Sequence, residues 1–180
     1  MGLLSRFFKK KVPSFSLDEF KKIPENDRWK FLTELMDPYF MRNRYRTYQS
    51  DVLSFSEPLR TYFICDTLYT EVYNGGLIQF FTNSSGIFTP YVSEALNTIG
   101  AIKTNEIFNE ALEVIQRYSE SHATLSKNLT KVKRGEVFRF AEIFENQELV
   151  NALSDLDTAF YDCTEKIDEL AVEFVFVFSG

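Results

Sequence analysis

From Leu149 to Val177, apolar residues recur at alternating spacings of four and three: Leu149, Leu153, Leu156, Phe160, Cys163, Ile167, Leu170, Phe174 and Val177. That alternation places every apolar side chain on one stripe of a helix. It predicts one long C-terminal helix from about Glu148 to Val177, roughly 45 Å long. The closing run Phe174-Val175-Phe176-Val177-Phe178 has the composition of a strand. The stripe continues through it, so helix is the preferred reading. Phe176 and Phe178 fall off the stripe and suggest a second contact surface, a subunit contact being one candidate.

Helical spacing recurs upstream. Ser16 can cap a short helix that Pro24 closes, with Asp18 and Glu19 in its first turn. A second helix is expected from Glu25 to Met36, with Trp29, Phe31 or Leu32, and Leu35 inward, ending at Asp37-Pro38. Tyr39 to Ser54 shows no clear period. Ser56-Glu57-Pro58 opens a helix carrying Leu59, Tyr62, Phe63, Tyr69 and Val72. Asn74-Gly75-Gly76 interrupts that pattern, and Leu77, Phe80 and Phe81 resume it until Asn83-Ser84-Ser85-Gly86. Thr89-Pro90 starts a helix that ends at Gly100. Thr104 is expected to cap the next one, with Phe108, Ala111 and Ile115 inward, and a short acidic helix follows around Glu142. The pattern predicts an all-α fold: a single compact multi-helix domain over residues 13–180, behind a basic amphipathic leader over residues 1–12.

Composition sharpens this. The chain has 180 residues, 44% hydrophobic, with 19 Phe, 9 Tyr and 1 Trp. It is too apolar for disorder and long enough for a ring-rich core. The net charge of −6 argues against direct nucleic-acid binding through phosphates. The distribution is uneven. Arg6, Lys9, Lys10 and Lys11 are unopposed in the first eleven residues, leaving 16 basic against 26 acidic residues in the rest. From Glu136 onward eleven acids face only Arg139 and Lys166. The leader reads as a segment packing Leu3, Leu4, Phe7 and Phe8 on the body, with lipid contact as the alternative; it lacks the marks of a secretory signal. No apolar run is long enough to span a membrane. Cys65 and Cys163 read as buried thiols of a cytoplasmic protein.

Glu148, Asp155, Asp162 and Glu169 are each seven residues apart and form an outward row, ~10.5 Å between neighbours. Such a row is ordinarily a solvated helix face. The sharper reading is a negative stripe for a basic partner, joined by Glu142, Glu145 and Glu165. Candidates for catalysis are few. His122 is the single histidine, and metal-ligand spacings are absent. Gly75-Gly76 lacks the pattern of a phosphate loop. Glu71, Asn74, Gln79 and Asn83 form the one polar constellation that could line a pocket. The plainer reading is that these amides tie the ends of a short helix by binding free backbone groups.

The run Glu71-Val72-Tyr73-Asn74-Gly75-Gly76-Leu77-Ile78-Gln79-Phe80-Phe81-Thr82-Asn83-Ser84-Ser85-Gly86 resembles the signature of a bacterial DNA-mimic protein family, a domain of unknown function. Ala95-Leu96-Asn97-Thr98-Ile99-Gly100-Ala101 and Leu156-Asp157-Thr158-Ala159-Phe160-Tyr161 resemble its later blocks, so the likeness covers about residues 56–170. The resemblance implies an all-α dimer without known catalysis. It also implies surface acids arranged like duplex phosphates, which occupy the DNA-binding face of a transcription factor. In it Glu71, Asn74, Gly75, Gly76, Gln79 and Asn83 mark the fold. The expected function is therefore a non-catalytic, cytoplasmic, acidic interaction protein with a basic protein partner, a DNA-binding regulator first, and no cofactor or metal. The alternatives are an immunity or accessory protein that neutralises a toxin, and a small-ligand binder or enzyme using Glu71, Asn74, Gln79 and Asn83.

Overall fold

Local signals set most helix ends. The computed structural model describes residues 13–39, 47–120 and 146–178. Helix α1 spans Leu17–Lys21 and begins with a reciprocal cap. The Glu19 N–H donates to Ser16 Oγ, and the Ser16 N–H donates to Glu19 Oε2, each at 3.1 Å. Helix α2 covers Glu25–Met36, as the spacing predicts, and runs into a 3₁₀ turn at Asp37–Tyr39. The stretch without a clear period yields one short helix, α3, Tyr48–Val52. Helix α4, Glu57–Thr82, starts with Pro58 in its first turn. A 3₁₀ turn at Ser84–Phe88 leads to α5, Thr89–Thr98, and then to α6, Ile102–Glu120. The last two helices are α7, Gln147–Asp162, and α8, Ile167–Phe178.

Helix α4 is the central element, because it packs on α5, α7 and α8. Helix α6 lies against α5 and α7, while α1 and α2 rest on α8. The ring-rich composition becomes a ring-rich core. Phe81 stacks on Phe108 at 5.8 Å, and Phe80 meets Phe108 edge-on at 5.9 Å. Tyr48, from the segment without a period, is buried edge-on against Phe63 and Phe88. Its aromatic bulk anchors a segment too short for amphipathic spacing to show. No helix among the described residues is long and apolar enough to cross a membrane. Cys65 is a buried free thiol, and Cys163 a half-buried one.

The expected single C-terminal helix is two. Cys163 takes an extended backbone (φ −64°, ψ 129°) and ends α7. The reason lies across the fold, at the start of α6. Glu165 Oε1 accepts the Lys103 N–H at 3.0 Å, and its Oε2 accepts the Thr104 N–H at 2.8 Å and the Thr104 hydroxyl at 3.0 Å. The first-turn N–H groups of a helix have no partner within it. Glu165 satisfies two of them and sets its charge at the positive end of α6. Thr104 therefore does not cap α6; it sits inside the first turn and receives the cap. Beyond the break the buried stripe slips by one residue. Ala171 and Val175 are buried in place of Leu170 and Phe174, and Val177 is exposed, whereas Leu149, Leu153, Leu156, Phe160 and Ile167 are buried as the spacing predicts. The Phe-rich end is helical. Trp29 is not inward either: it is 47% exposed, and its indole N–H donates to Asp66 Oδ1 at 2.8 Å.

Burial pushes the Glu165 carboxyl up, but the bonds from Thr104 and Lys103 outweigh it and hold the group below its ordinary range. A depressed carboxylate stabilises the fold above its unfolded pKa, and that stability is lost as pH falls through the folded value. Glu165→Ala should cost about 1 kcal/mol at neutral pH, a few degrees of melting temperature. Thermal melts should show the gap between wild type and variant closing as the solution is acidified below the ordinary Glu range. A gap that stays constant with pH would contradict the charged cap.

Candidate functional site

The glycine pair inside α4 breaks its backbone. Gly76 adopts φ +79° and ψ 178°, a left-handed φ that a side chain disfavours. The break leaves a carbonyl before it and an N–H after it without helical partners. Helix α7 supplies both. The Tyr161 hydroxyl donates to the Val72 carbonyl at 2.8 Å, and the Leu77 N–H donates to Asp157 Oδ1 at 2.7 Å. A Cβ at position 76 would sit 2.3 Å from Asp157 Oδ2, so glycine is required twice over. Burial raises the Asp157 pKa, with the Leu77 N–H pulling the other way. Burial, then Asp157 and Tyr73, raise that of Tyr161.

The polar constellation sits just beyond the kink. Gln79 Nε2 and Asn83 Nδ2 each donate to Glu71 Oε2 at 2.8 Å, and Ser85 Oγ donates to Glu71 Oε1 at 2.6 Å. The amides thus bind a carboxylate, not the backbone groups expected from sequence. The charged acceptor is the stronger partner for an amide donor. Glu71 precedes the break, while Gln79, Asn83 and Ser85 follow it. The cluster therefore clamps the two halves of α4 and the 3₁₀ turn together. Asn74 is exposed and takes no part in these bonds.

The sequence-predicted acids fall into three groups. Glu148, Asp155 and Asp162 are exposed on α7, two turns apart, on the flank away from Asp157 and Tyr161. None forms an ion pair with another described residue. Glu169 lies beyond the break, on α8, paired with Lys166 at 2.7 Å. Glu165 is the α6 cap. Glu142 and Glu145, like His122, lie outside the described residues, as does the leader. The structure adds acids that the sequence reading did not select. Glu106 and Glu110 of α6 share with Asp162 an open groove of about 460 Å³ that also takes in Lys103. Their spacing of four on the polar face of α6 was the available signal, but the neighbouring helix was not legible. Among the described residues no group of His, Cys, Asp and Glu is placed to hold a metal ion.

A family model described as DMP19-like protein matches residues 53–176, well over half of the chain. No curated protein and no solved structure matches it.

The repair of the kink can be tested by substitution. Gly76→Ala should cost ~2 kcal/mol or more, from the disfavoured φ and the collision with Asp157. Asp157→Ala should cost ~1–3 kcal/mol by orphaning a part-buried N–H. Asp157→Asn keeps an acceptor and sheds a desolvated charge, so denaturant titration should find it the mildest of the three. Equal losses for Asn and Ala at position 157 would show that the bond to Leu77 contributes little.

Proposed function

The chain belongs to the DMP19-like family, DMP19 being a family of DNA-mimic proteins, and on that premise we propose that it acts in the cytoplasm by binding a basic protein partner. The partner is a DNA-binding regulator whose nucleic-acid face it occupies. The observation that carries this is the row Glu148, Asp155 and Asp162: exposed, on one flank of one helix, and unpaired by any described cation. Glu106 and Glu110 across the groove widen the negative face to two helices. Carboxylates accept charge-assisted hydrogen bonds from the same Arg and Lys side chains that phosphates attract. The row repeats at ~10.5 Å, within which long basic side chains can choose partners. Such a face contributes association rate and partner choice, and salt weakens it. Glu142 and Glu145 belong to the same proposal as contributors to the local field, and Glu165 and Glu169 as weaker ones, because the first is bound by α6 donors and the second is paired with Lys166. The DMP19-like family is not known for catalysis, and the polar cluster around Glu71 is occupied in tying α4 together.

The test is capture from a lysate of the source organism at low salt, with duplex DNA added as competitor. The reading expects a DNA-binding protein that elutes as salt rises, that duplex DNA displaces, and that the triple variant Glu148→Gln, Asp155→Asn, Asp162→Asn retains at least about tenfold less well. Recovery of only proteins that DNA cannot displace would sink it.

A further inference from the structure

Helix α4 is buried along much of its length but reaches the surface beside α7 and α8. There Asp66, Tyr69 and Tyr73 follow one another at spacings of three and four, so they form a single stripe. Tyr69 and Tyr73 pack with ring centroids 4.4 Å apart, and Tyr73 meets Tyr161 of α7 at 5.3 Å. At the other end Asp66 accepts the Trp29 indole N–H at 2.8 Å. Trp29, Tyr73 and Tyr161 are 47%, 53% and 43% exposed, among the largest apolar exposures of the described residues. The rings are held in place. Tyr161 is anchored on the Val72 carbonyl, and Trp29 on Asp66. Burial raises the Tyr69 pKa, and Asp168, Tyr73, Asp66 and Glu169 push it the same way. Two cations, Lys166 and Arg28, line the groove beside Trp29, Asp168 and Glu169, and both are engaged: Lys166 is paired with Glu169, and Arg28 lies over the Phe176 ring.

We propose that this aromatic and acidic strip, Trp29–Asp66–Tyr69–Tyr73–Tyr161, is a docking surface for an arginine-bearing segment of a protein partner. Exposed ring faces attract a cation, and flanking carboxylates give its N–H groups acceptors. A guanidinium uses both features at once: it is planar, stacks on rings and forks onto carboxylates, whereas an ammonium is a compact, strongly hydrated point charge. The fold already contains such a contact, since the Arg28 guanidinium lies 4.0 Å from the centre of the Phe176 ring. Fixed Trp and Tyr rings are also the side chains in which binding energy concentrates. The strip leaves α7 on the flank of Asp157 and Tyr161, whereas the acidic row occupies the flank facing α6. It goes beyond the acidic-face reading and stands or falls separately from it.

Trp29 is the single tryptophan of the chain and reports on the strip directly. The experiment titrates the intact protein with oligoarginine and with oligolysine of equal length, following Trp29 emission. The expected result is a saturable change with oligoarginine at an affinity at least about threefold above oligolysine. Tyr73→Ala should remove that preference and Tyr73→Phe should keep it, with melting temperatures confirming that both fold. The triple variant of Glu148, Asp155 and Asp162 should keep the emission change and the preference, even if overall charge attraction falls. Equal affinity for the two peptides, an unaltered preference in Tyr73→Ala, or loss of the emission change in the triple variant would each overturn the proposal.

Discussion

The broken backbone of α4 at Gly75-Gly76 is the constraint on which the other placements rest. The helix lies at the centre of the fold, where polar backbone groups must find partners, and an orphaned N–H there costs ~1–3 kcal/mol. Asp157 and Tyr161 are the partners, and both come from α7, four residues apart on one flank. Meeting that demand fixes α7 in rotation as well as position. With Leu149, Leu153, Leu156 and Phe160 turned to the core and Asp157 and Tyr161 turned to the kink, the 3.6-residue period leaves one flank for Glu148, Asp155 and Asp162. The direction in which the acidic row faces is thus a consequence of a repair made inside the domain.

A second repair decides what happens after Asp162. Continuing α7 would keep its hydrogen-bond ladder but would carry Glu165 away from the open end of α6. Breaking it at Cys163 gives up a few helical bonds and gains three on a carboxylate held at a helix N-terminus. The one-residue slip that follows lets Ala171 and Val175 face inward and lets α8 turn away from α7. Between the two helices the Tyr69–Tyr73 stripe of α4 stays uncovered.

These events show why the sequence was legible in some places and not in others. Helix α2, the start of α4 and the apolar stripe of α7 could be read because capping and 3.6-residue spacing are local signals. The interruption at Asn74-Gly75-Gly76 could be located for the same reason. What repairs it could not, because Asp157 and Tyr161 lie about eighty and ninety residues further on. The unbroken spacing from Leu149 to Val177 misled, since the heptad carries on through residues whose backbone is decided by a contact with α6. Trp29 misled in another way: its size argues for burial, but its indole N–H needs an acceptor, and Asp66 provides one near the surface. Asp51 and Tyr48 are buried in a segment with no readable period. Of the candidate site, the row on α7 was visible as spacing. Its extension by Glu106 and Glu110 required knowing which helix lies beside it.

Counting acids overstates the field that a partner meets. Glu71 accepts three hydrogen bonds, Asp157 is bound by a backbone N–H, and Glu165 by two N–H groups and a hydroxyl. These charges are committed to donors inside the fold, and the dipoles that bind them offset much of their outward potential. Glu169 is offset by Lys166. Glu148, Asp155 and Asp162, with Glu106 and Glu110, have no such partners among the described residues and are exposed to solvent, where the potential of each adds to the next within a Debye length. Of the eleven acids after residue 135, eight lie among the described residues, and the structure separates these eight by role. Some hold helix ends and the kink in place, and the remainder face outward because those ends are held. A substitution among the first kind disturbs recognition only by disturbing the fold, while a substitution among the second changes the potential at the surface and leaves the fold intact. Stability and salt-dependent binding measured on the same variants therefore separate the two kinds of acid, which a count of charges cannot do.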